Sequence, residues 1–376
     1  MKNIAVIGSS GSIGRQTLNV IRRYPDKFRV TALVVNKSID ILNEQIKEFK
    51  PEYVGITDEF AYKNFSSDCN VKIVGGNEAL TFACVLSQVD VVVIAVSCMD
   101  GLPPVISAIE NNKIIALANK ESIVCGGEYI LPKLNNSKAK ILPVDSEHSA
   151  VWQILGNENY HNLKRIILTA SGGAYYGKNR NFLDTITPEQ AVKHPNWSMG
   201  KKISVDSATM VNKGLEIIEA ARLFNTKNID YIIHPQSIVH SMVEYNDGVV
   251  MAQMGVANME TPIQYALTYP ERFDTGLQPL LFDKPLTFLQ PDEDVFPAPK
   301  LAKQCLEAGG IMPCVFSAAD EIAVKLFLEN RIKFTQIVDI IDQTLQTTKN
   351  LLKPDIQEIY DTYNSVIKQI RKDYID

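Results

Sequence analysis

Residues 3–14 read Asn3-Ile-Ala-Val-Ile-Gly8-Ser-Ser-Gly11-Ser-Ile-Gly14, an apolar run followed by a turn of small residues. The apolar run predicts a buried strand, and the spacing from Ser12 to Tyr24 predicts a helix that Pro25 stops. Small residues let the backbone turn tightly and approach a pyrophosphate, whose charge the free N–H groups of the helix can bind. The spacing is GxxGxxG, with Ser10 at the usual second glycine, so a tight connection without ligand is the alternative.

Further strand candidates follow within the first 145 residues, separated by helical patterns. They are Phe28 to Val35, Tyr53 to Ile56, Val71 to Val74, Val89 to Ala95, Lys113 to Ala118 and Lys140 to Val144. Near-continuous apolar runs that alternate with helices are typical of a parallel sheet covered on both faces. The sequence therefore predicts an α/β protein whose residues 1–145 form a doubly wound, Rossmann-like dinucleotide domain.

The pattern after residue 145 is mixed, and we expect a central α/β catalytic domain over residues 146–275. Its candidate strands lie at 164–170, 231–233, 238–245 and 249–254, with a helix from Ser207 to Phe224. A proline-rich stretch, 276–298, has the composition of a connecting segment. Helical patterns near 299–308, 314–329, 334–347 and 355–373 predict a small α-helical domain over residues 299–376.

The composition of the chain indicates which class of protein it belongs to and which partners are excluded. The chain has 376 residues, 45% of them apolar and 22% charged, which favours a globular protein of two or three domains. A net charge of −5 without a basic tract argues against nucleic acid and anionic membrane surfaces as partners. No apolar run approaches the roughly 20 residues that span a bilayer. The six cysteines form no CxxC pair, so we expect reduced thiols and a cytoplasmic location.

The end of the second predicted strand bears on the choice of dinucleotide. NAD-binding proteins usually place an acid there, which accepts a hydrogen bond from the ribose 2′-hydroxyl. This strand ends in Asn36-Lys37-Ser38, with no acid before Asp40. A cation between two small polar side chains suits a 2′-phosphate and favours NADPH. The alternative is that Lys37 is a solvated loop charge.

A second group of polar residues, Asp145-Ser146-Glu147-His148, follows the strand candidate that ends at Val144. In an extended segment, Asp145 and Glu147 would point to the same side. Two hard carboxylate ligands suit Mg²⁺ or Mn²⁺. An exposed loop or a helix cap is the alternative.

A third carboxylate could come from the segment that begins at Asp206. A helix from Ser207 would place Asn212, Glu216 and Glu219 on one polar face, with Lys213 beside it. A solvated amphipathic helix is the alternative, and spacing alone does not show that this helix meets residues 145–147.

Two segments have the side chains of a phosphate pocket. Ser171-Gly-Gly173 follows a strand candidate, and Ser207, Asn212 and Lys213 supply a hydroxyl, an amide and a cation near a helix start. Ser-Gly-Gly is also a common turn.

Residues 193–201 have the composition of a mobile loop. They include His194, Trp197, Met199 and Gly200. An aromatic side chain and a methionine on a polar loop suggest a lid over a ligand, and packing against the domain is the alternative.

Taken together, these segments resemble the 1-deoxy-D-xylulose 5-phosphate reductoisomerase family. The matching stretches are GSSGSIG at 8–14, LANKES at 117–122, PVDSEHSA at 143–150, ASGG at 170–173, HPNWSMGKKISVDSATMVNKGLE at 194–216, HPQSIVHSMV at 234–243 and PIQYALTYPER at 262–272. Their order and spacing cover about residues 1–330, and the helical tail fits the C-terminal domain of the family.

The resemblance implies a role for each matching position. The metal, Mg²⁺, Mn²⁺ or Co²⁺, would be bound by Asp145, Glu147 and Glu216. The substrate phosphate would be held by Ser171, Ser207, Asn212 and Lys213. The rest of the substrate would be lined by Lys120, Ser146, Glu147, His194 and Glu216, with Lys120, Glu147 and His194 catalytic. NADPH would contact Ser10, Gly11, Ser12, Ile13, Asn36, Lys37, Ser38, Asn119, Glu121 and Gly200.

The resemblance also implies a reaction and an assembly. The expected reaction is the rearrangement and NADPH-dependent reduction of a small phosphorylated sugar, and the expected assembly is a homodimer. Two other hypotheses stay open from the residues themselves. One is a simple NADP-dependent dehydrogenase that performs no skeletal rearrangement, and the other is a non-catalytic dinucleotide-binding protein.

Overall fold

The computed structural model describes residues 1–156, 162–193 and 199–375, and these divide into two compact units. The first unit comprises residues 1–122, 130–149 and 258–277, and the second comprises residues 123–129, 150–257 and 278–376, where described. This division does not test the domain boundaries expected after residues 145, 275 and 298, which stay predictions.

The strands of the described chain lie where apolar runs predicted them, within two residues at each end. They are β1 Lys2–Ile7, β2 Phe28–Val35, β3 Tyr53–Ile56, β4 Lys72–Gly75, β5 Val91–Ile94, β6 Ile114–Leu117, β7 Lys140–Pro143, β8 Leu163–Ala170, β9 Ile229–Ile233, β10 Val239–Tyr245 and β11 Val250–Met254.

The described α-helices complete the order of elements. They are α1 Ser12–Arg23, α2 Ile39–Phe49, α3 Glu59–Lys63, α4 Phe82–Val85, α5 Leu102–Glu110, α6 Lys120–Asn135, α7 Ser146–Leu155, α8 Arg180–Leu183, α9 Pro188–Ala191, α10 Lys201–Ala208, α11 Val211–Leu223, α12 Glu260–Thr268, α13 Ala298–Ala308, α14 Met312–Leu328, α15 Gln336–Thr347 and α16 Ile356–Ile375. None of them combines the length and apolar character needed to cross a bilayer.

The first unit is built on a seven-stranded sheet in the order β4-β3-β2-β1-β5-β6-β7, with every neighbouring pair parallel. The strand order reverses direction between β1 and β5, which is where doubly wound sheets open a ligand crevice at their carboxyl ends. The predicted fold class is confirmed.

A later segment of the chain returns to the first unit. Helix α12 packs on α1, where Arg23 donates to the Gln264 amide oxygen at 3.0 Å. Lys2, at the start of β1, donates to the Leu267 carbonyl at 2.8 Å. These contacts explain why residues 258–277 cluster with the first unit although they lie far away in sequence.

The second unit combines a four-stranded mixed sheet, in the order β11-β10-β8-β9, with the C-terminal helices. Helix α14 packs against α13, α15 and α16, and its interior face carries Phe316 and Phe327. The expected helical region near the C-terminus is therefore present.

The expectation of one helix from Ser207 to Phe224 is wrong. Helix α10 ends at Ala208, where the Thr209 hydroxyl donates to the Val205 carbonyl at 3.0 Å. Met210 then adopts a left-handed conformation, with φ of 63°, and α11 begins at Val211. Ser207 therefore lies in the last turn of α10 and not at a helix start, whereas Asn212 lies in the first turn of α11.

Candidate functional site

The turn after β1 is shaped by close backbone contacts. Gly8 has a φ of +91°, and a Cβ on it would lie 2.5 Å from the Ala95 carbonyl oxygen, in the turn after β5. A Cβ on Gly14 would lie 2.2 Å from the Gly8 carbonyl oxygen, so only glycine lets the first turn of α1 pack on the loop. Ser10, Gly11, Ser12 and Ile13 therefore lie at the N-terminus of α1, over the reversal point of the sheet.

The ends of β2 and β3 are joined by side chains at the expected 2′-phosphate position. Asn36 donates to the Thr57 hydroxyl at 2.7 Å, and the Lys37 ammonium lies 3.5 Å from Asp58 Oδ2. Asp58 also caps α3 by accepting from the Ala61 N–H, which lowers the pKa of its carboxyl. The Lys37 side chain is 73% exposed, so it can turn toward a bound anion. Asp58 was missed in the sequence, although a polar residue just after a buried strand is a usable signal.

Asn119 and Glu121 lie at the start of α6. The Asn119 side chain accepts from the Ser122 N–H and donates to the carbonyls of Val96 and Cys98, at 3.1 and 2.9 Å. It also donates to the Glu121 carboxylate at 3.1 Å. Asn119 thus caps a helix and holds the loop after β5, which forms the other wall of the crevice.

Lys120 contacts one of the expected metal ligands. Its ammonium lies 2.7 Å from Asp145 Oδ2, and His148 Nδ1 lies 3.9 Å from the other oxygen. Burial by itself would raise the pKa of the Asp145 carboxyl, but the charge of Lys120 and the contact with His148 outweigh it and hold the pKa well below its usual range. Asp145 is therefore ionised at neutral pH.

The expected extended conformation of residues 145–147 is wrong. The Ser149 N–H donates to the Asp145 carbonyl at 2.8 Å, so helix α7 begins at Ser146 and Glu147 lies in its first turn. The Ser146 hydroxyl donates to Glu147 Oε2 at 2.5 Å. Both carboxylates remain at the carboxyl end of β7, held by a strand-to-helix turn.

Helix α11 gathers three of the predicted residues in the second unit. Glu216 accepts from the Asn212 amide on one oxygen and from the Lys213 ammonium on the other. Lys213 also donates to the Thr169 carbonyl, at the end of β8, at 2.5 Å. Lys213 is only 4% exposed and Glu216 only 1%, so the alternative of a solvated helix face is wrong. Thr169 was missed because sequence spacing carries no signal for a carbonyl partner.

The Ser171-Gly-Gly loop touches the end of α10. The Ser171 hydroxyl accepts from the Gly173 N–H at 3.2 Å, and a Cβ on Gly173 would lie 2.6 Å from the Ser207 carbonyl oxygen. The loop that carries Ser171 and the last turn that carries Ser207 are thus in direct contact.

The start of α10 is held by buried charges. Lys202 lies 2.7 Å from Asp206 and 2.5 Å from Asp320 of α14. Gly200, which precedes α10, accepts from the Ser204 hydroxyl through its carbonyl at 2.9 Å. The structure places Gly200 in the second unit, and His194 and Trp197 lie outside the described residues.

A glycine turn at the reversal point of a parallel sheet, together with buried carboxylates, lysines and hydroxyls, defines a dinucleotide-dependent enzyme of the doubly wound class. Three family models match the chain: 1-deoxy-D-xylulose 5-phosphate reductoisomerase over residues 4–127, its C-terminal domain over 141–224, and a second reductoisomerase C-terminal domain over 254–369. The chain belongs to the 1-deoxy-D-xylulose 5-phosphate reductoisomerase family.

Relatives and solved structures agree along the whole chain. The reductoisomerase of Clostridium botulinum strain Loch Maree is 44% identical, with all of both chains covered, and that of Thermodesulfovibrio yellowstonii is 43% identical over 99% of both. The crystal structure of a DOX-P reductoisomerase in complex with NADPH, fosmidomycin and magnesium is 36% identical, with a TM-score of 0.93 over 99% of this chain and 98% of that one. The Zymomonas mobilis enzyme in complex with NADPH is equally similar, at 36% identity and a TM-score of 0.93 over 100% and 99%.

Proposed function

We infer that this chain converts 1-deoxy-D-xylulose 5-phosphate into 2-C-methyl-D-erythritol 4-phosphate, a step of isoprenoid synthesis. The reaction rearranges the carbon skeleton of the substrate and reduces the resulting branched aldehyde. The enzyme is an NADPH- and divalent-metal-dependent oxidoreductase. Full-length similarity to reductoisomerases, one of them solved with NADPH and magnesium, carries this conclusion.

Three carboxylates are assigned to the metal: Asp145, Glu147 and Glu216. All are hard oxygen donors of the kind that Mg²⁺ and Mn²⁺ prefer, and Co²⁺ also accepts them. The fit is supported within each unit, because Asp145 is kept ionised beside Lys120 and Glu216 is buried among cationic and amide donors. A divalent cation there supplies Lewis-acid polarisation of a substrate carbonyl.

The substrate phosphate is assigned to the second unit, where Ser171, Ser207, Asn212 and Lys213 offer hydroxyls, an amide and an ammonium. The contact between the Ser171 loop and the end of α10 supports this assignment. Asn212 and Lys213 lie in the first turn of α11, where N–H groups and the helix dipole favour an anion.

Groups near the reacting carbons are assigned in the same way. Lys120 places an ammonium beside Asp145, where it can stabilise negative charge or move a proton. Ser146 holds the Glu147 carboxylate, and both line the substrate in this proposal. His194 is assigned to the substrate and to catalysis from the family resemblance.

The NADPH contacts are assigned to both walls of the crevice in the first unit. The turn that contains Ser10, Gly11, Ser12 and Ile13 meets the pyrophosphate, and Asn36, Lys37 and Ser38 meet the 2′-phosphate. Asn119 and Glu121 are assigned to the opposite wall, where Asn119 donates to the Val96 and Cys98 carbonyls of the loop after β5 and to the Glu121 carboxylate. Gly200 is assigned to NADPH from the family resemblance.

A spectrophotometric assay with and without EDTA tests the function. We expect loss of NADPH absorbance only when 1-deoxy-D-xylulose 5-phosphate and Mg²⁺ or Mn²⁺ are both present. An unbranched product in the NMR spectrum would favour the simple dehydrogenase. A folded protein that binds NADPH but consumes none would favour the non-catalytic alternative.

A homodimer is part of the proposal. Strand β11 forms an edge of the four-stranded sheet, where Val250, Met251 and the preceding Val249 are 47%, 49% and 51% exposed. An exposed apolar edge strand invites pairing with another chain unless it is covered. Sedimentation should show a dimer that Val250→Lys dissociates, and a wild-type monomer at micromolar concentration would contradict it.

A further inference from the structure

Glu216 engages both side chains at the start of α11 that the proposed function assigns to the substrate phosphate. Asn212 donates its amide to Oε1, and Lys213 donates its ammonium to Oε2. One residue assigned to the metal therefore contacts two residues assigned to the phosphate, through separate oxygens and within a single helix.

The opposite charges of Lys213 and Glu216 matter as much as their hydrogen bond. Lys213 and Glu216 are almost completely buried and in contact, so their opposite charges compensate each other. Lys213 donates to the Thr169 carbonyl and to Glu216. Its positive charge therefore lies against the Glu216 carboxylate and is less available to a phosphate.

We propose that Glu216 couples cation binding to phosphate binding. Without a divalent cation, the carboxylate neutralises Lys213 and occupies the Asn212 amide, which weakens the pocket for a phosphate monoester. A cation that binds Glu216 takes over the compensation of its charge and releases both donors toward the phosphate. This inference rests on the proposed assignment of metal and phosphate residues.

Thermodynamic linkage makes the coupling reciprocal. If a cation raises phosphate affinity by some factor, phosphate raises cation affinity by the same factor. The phosphate end of the substrate, which does not react, would thereby raise the affinity for the cation. The enzyme without metal would bind the substrate weakly.

The decisive experiment measures binding of inorganic phosphate to the full chain in EDTA by phosphorus NMR titration. Glu216→Gln removes the negative charge and keeps the size of the side chain. We expect this variant to bind phosphate on the order of ten-fold more tightly than the wild type, because the charge of Lys213 is released. Equal or weaker binding by a folded Glu216→Gln protein would overturn the proposal.

Glu219→Gln is the matched control. Glu219 lies one turn further along α11 and is as buried as Glu216, at 1% exposure. If the loss of any buried negative charge on α11 is enough, phosphate affinity will rise to a similar extent in both variants. That result would refute the specific coupling. The proposal predicts a clear increase for Glu216→Gln alone.

Lys213→Met separates a failure of the coupling from a failure of the proposed site. If it leaves phosphate affinity unchanged in saturating Mg²⁺, the phosphate assignment itself is wrong. If it weakens binding while Glu216→Gln has no effect in EDTA, only the coupling fails. Wild-type titrations with and without Mg²⁺ give a further check, since equal phosphate affinities would contradict the inference even if a variant does not fold.

Discussion

The glycine turn of the first unit and the start of α11 in the second are both assigned to phosphate groups, but different forces shape them. The turn is set by the backbone, since Gly8 and Gly14 lie closer to their neighbours than any Cβ allows. The start of α11 is set by buried side chains, because Asn212 and Lys213 share one carboxylate, Glu216. The first site therefore depends mainly on steric fit, whereas the second also depends on the charges around it.

The largest effect is expected from removing the charge of Glu216. Glu216→Gln should lower turnover on the order of 1,000-fold, because the proposed function makes Glu216 a ligand of the metal that supplies Lewis-acid stabilisation. NADPH affinity, measured by fluorescence titration, should stay within a few-fold of wild type. Turnover like that of the wild type would contradict the proposed metal role.

A side chain added within the glycine turn should weaken NADPH binding by the first unit. Gly14→Ala forces a Cβ against the Gly8 carbonyl and should weaken NADPH binding by about 100-fold, because the first turn of α1 must move away from the loop. Ser12→Ala, in the same turn, loses only a hydroxyl and should change affinity by less than about five-fold. Similar losses in both variants would mean that the backbone approach is not what matters.

Loss of the Lys37 charge, just after β2, should weaken NADPH binding less than a distorted glycine turn does. Lys37→Ala should weaken NADPH binding by about ten-fold, because it removes the charge-assisted contact to the 2′-phosphate that we propose for this exposed side chain. NADH affinity is the internal control and should not change. An equal loss for both nucleotides would show that Lys37 has no part in discrimination.

The smallest effect is expected from a residue that shapes the crevice. Asn119→Ala should lower the free energy of unfolding by about 1–2 kcal/mol, because a buried helix cap and two carbonyl contacts are lost. Urea denaturation measures it. An unchanged free energy of unfolding would show that the cap and the two carbonyl contacts of Asn119 do not stabilise the fold.

Much of the fold could be predicted because strands and helices leave local periodic signals. The strand Phe28–Val35 and the turn at Gly8 follow from apolar runs and small residues alone. The break at Met210 could not be predicted, because a left-handed residue between two helical patterns is fixed by tertiary packing rather than by its own preference. The sequence left the start of α7 at Ser146 open, since the 145–147 spacing fits an extended segment as well as a helix cap.

The candidate site shows the same limit at the level of side chains. The acids, lysines and hydroxyl-bearing residues of the candidate site can be read from the sequence, and their local spacing suggests which of them share one face of a helix. The pairing of Lys37 with Asp58 and of Lys213 with the Thr169 carbonyl joins residues from different strands and helices. Such partners are separated by many residues, so no local pattern records them.

The sequence by itself determined the doubly wound unit, the dinucleotide turn and the family to which the chain belongs, because these depend on short-range patterns and on long matching segments. Only the tertiary structure decided that Glu216 is buried against Asn212 and Lys213 and that Asp145 is held ionised by Lys120. The physical reason is that charge compensation depends on distance and burial in space, and neither quantity is encoded in the spacing of residues along the chain.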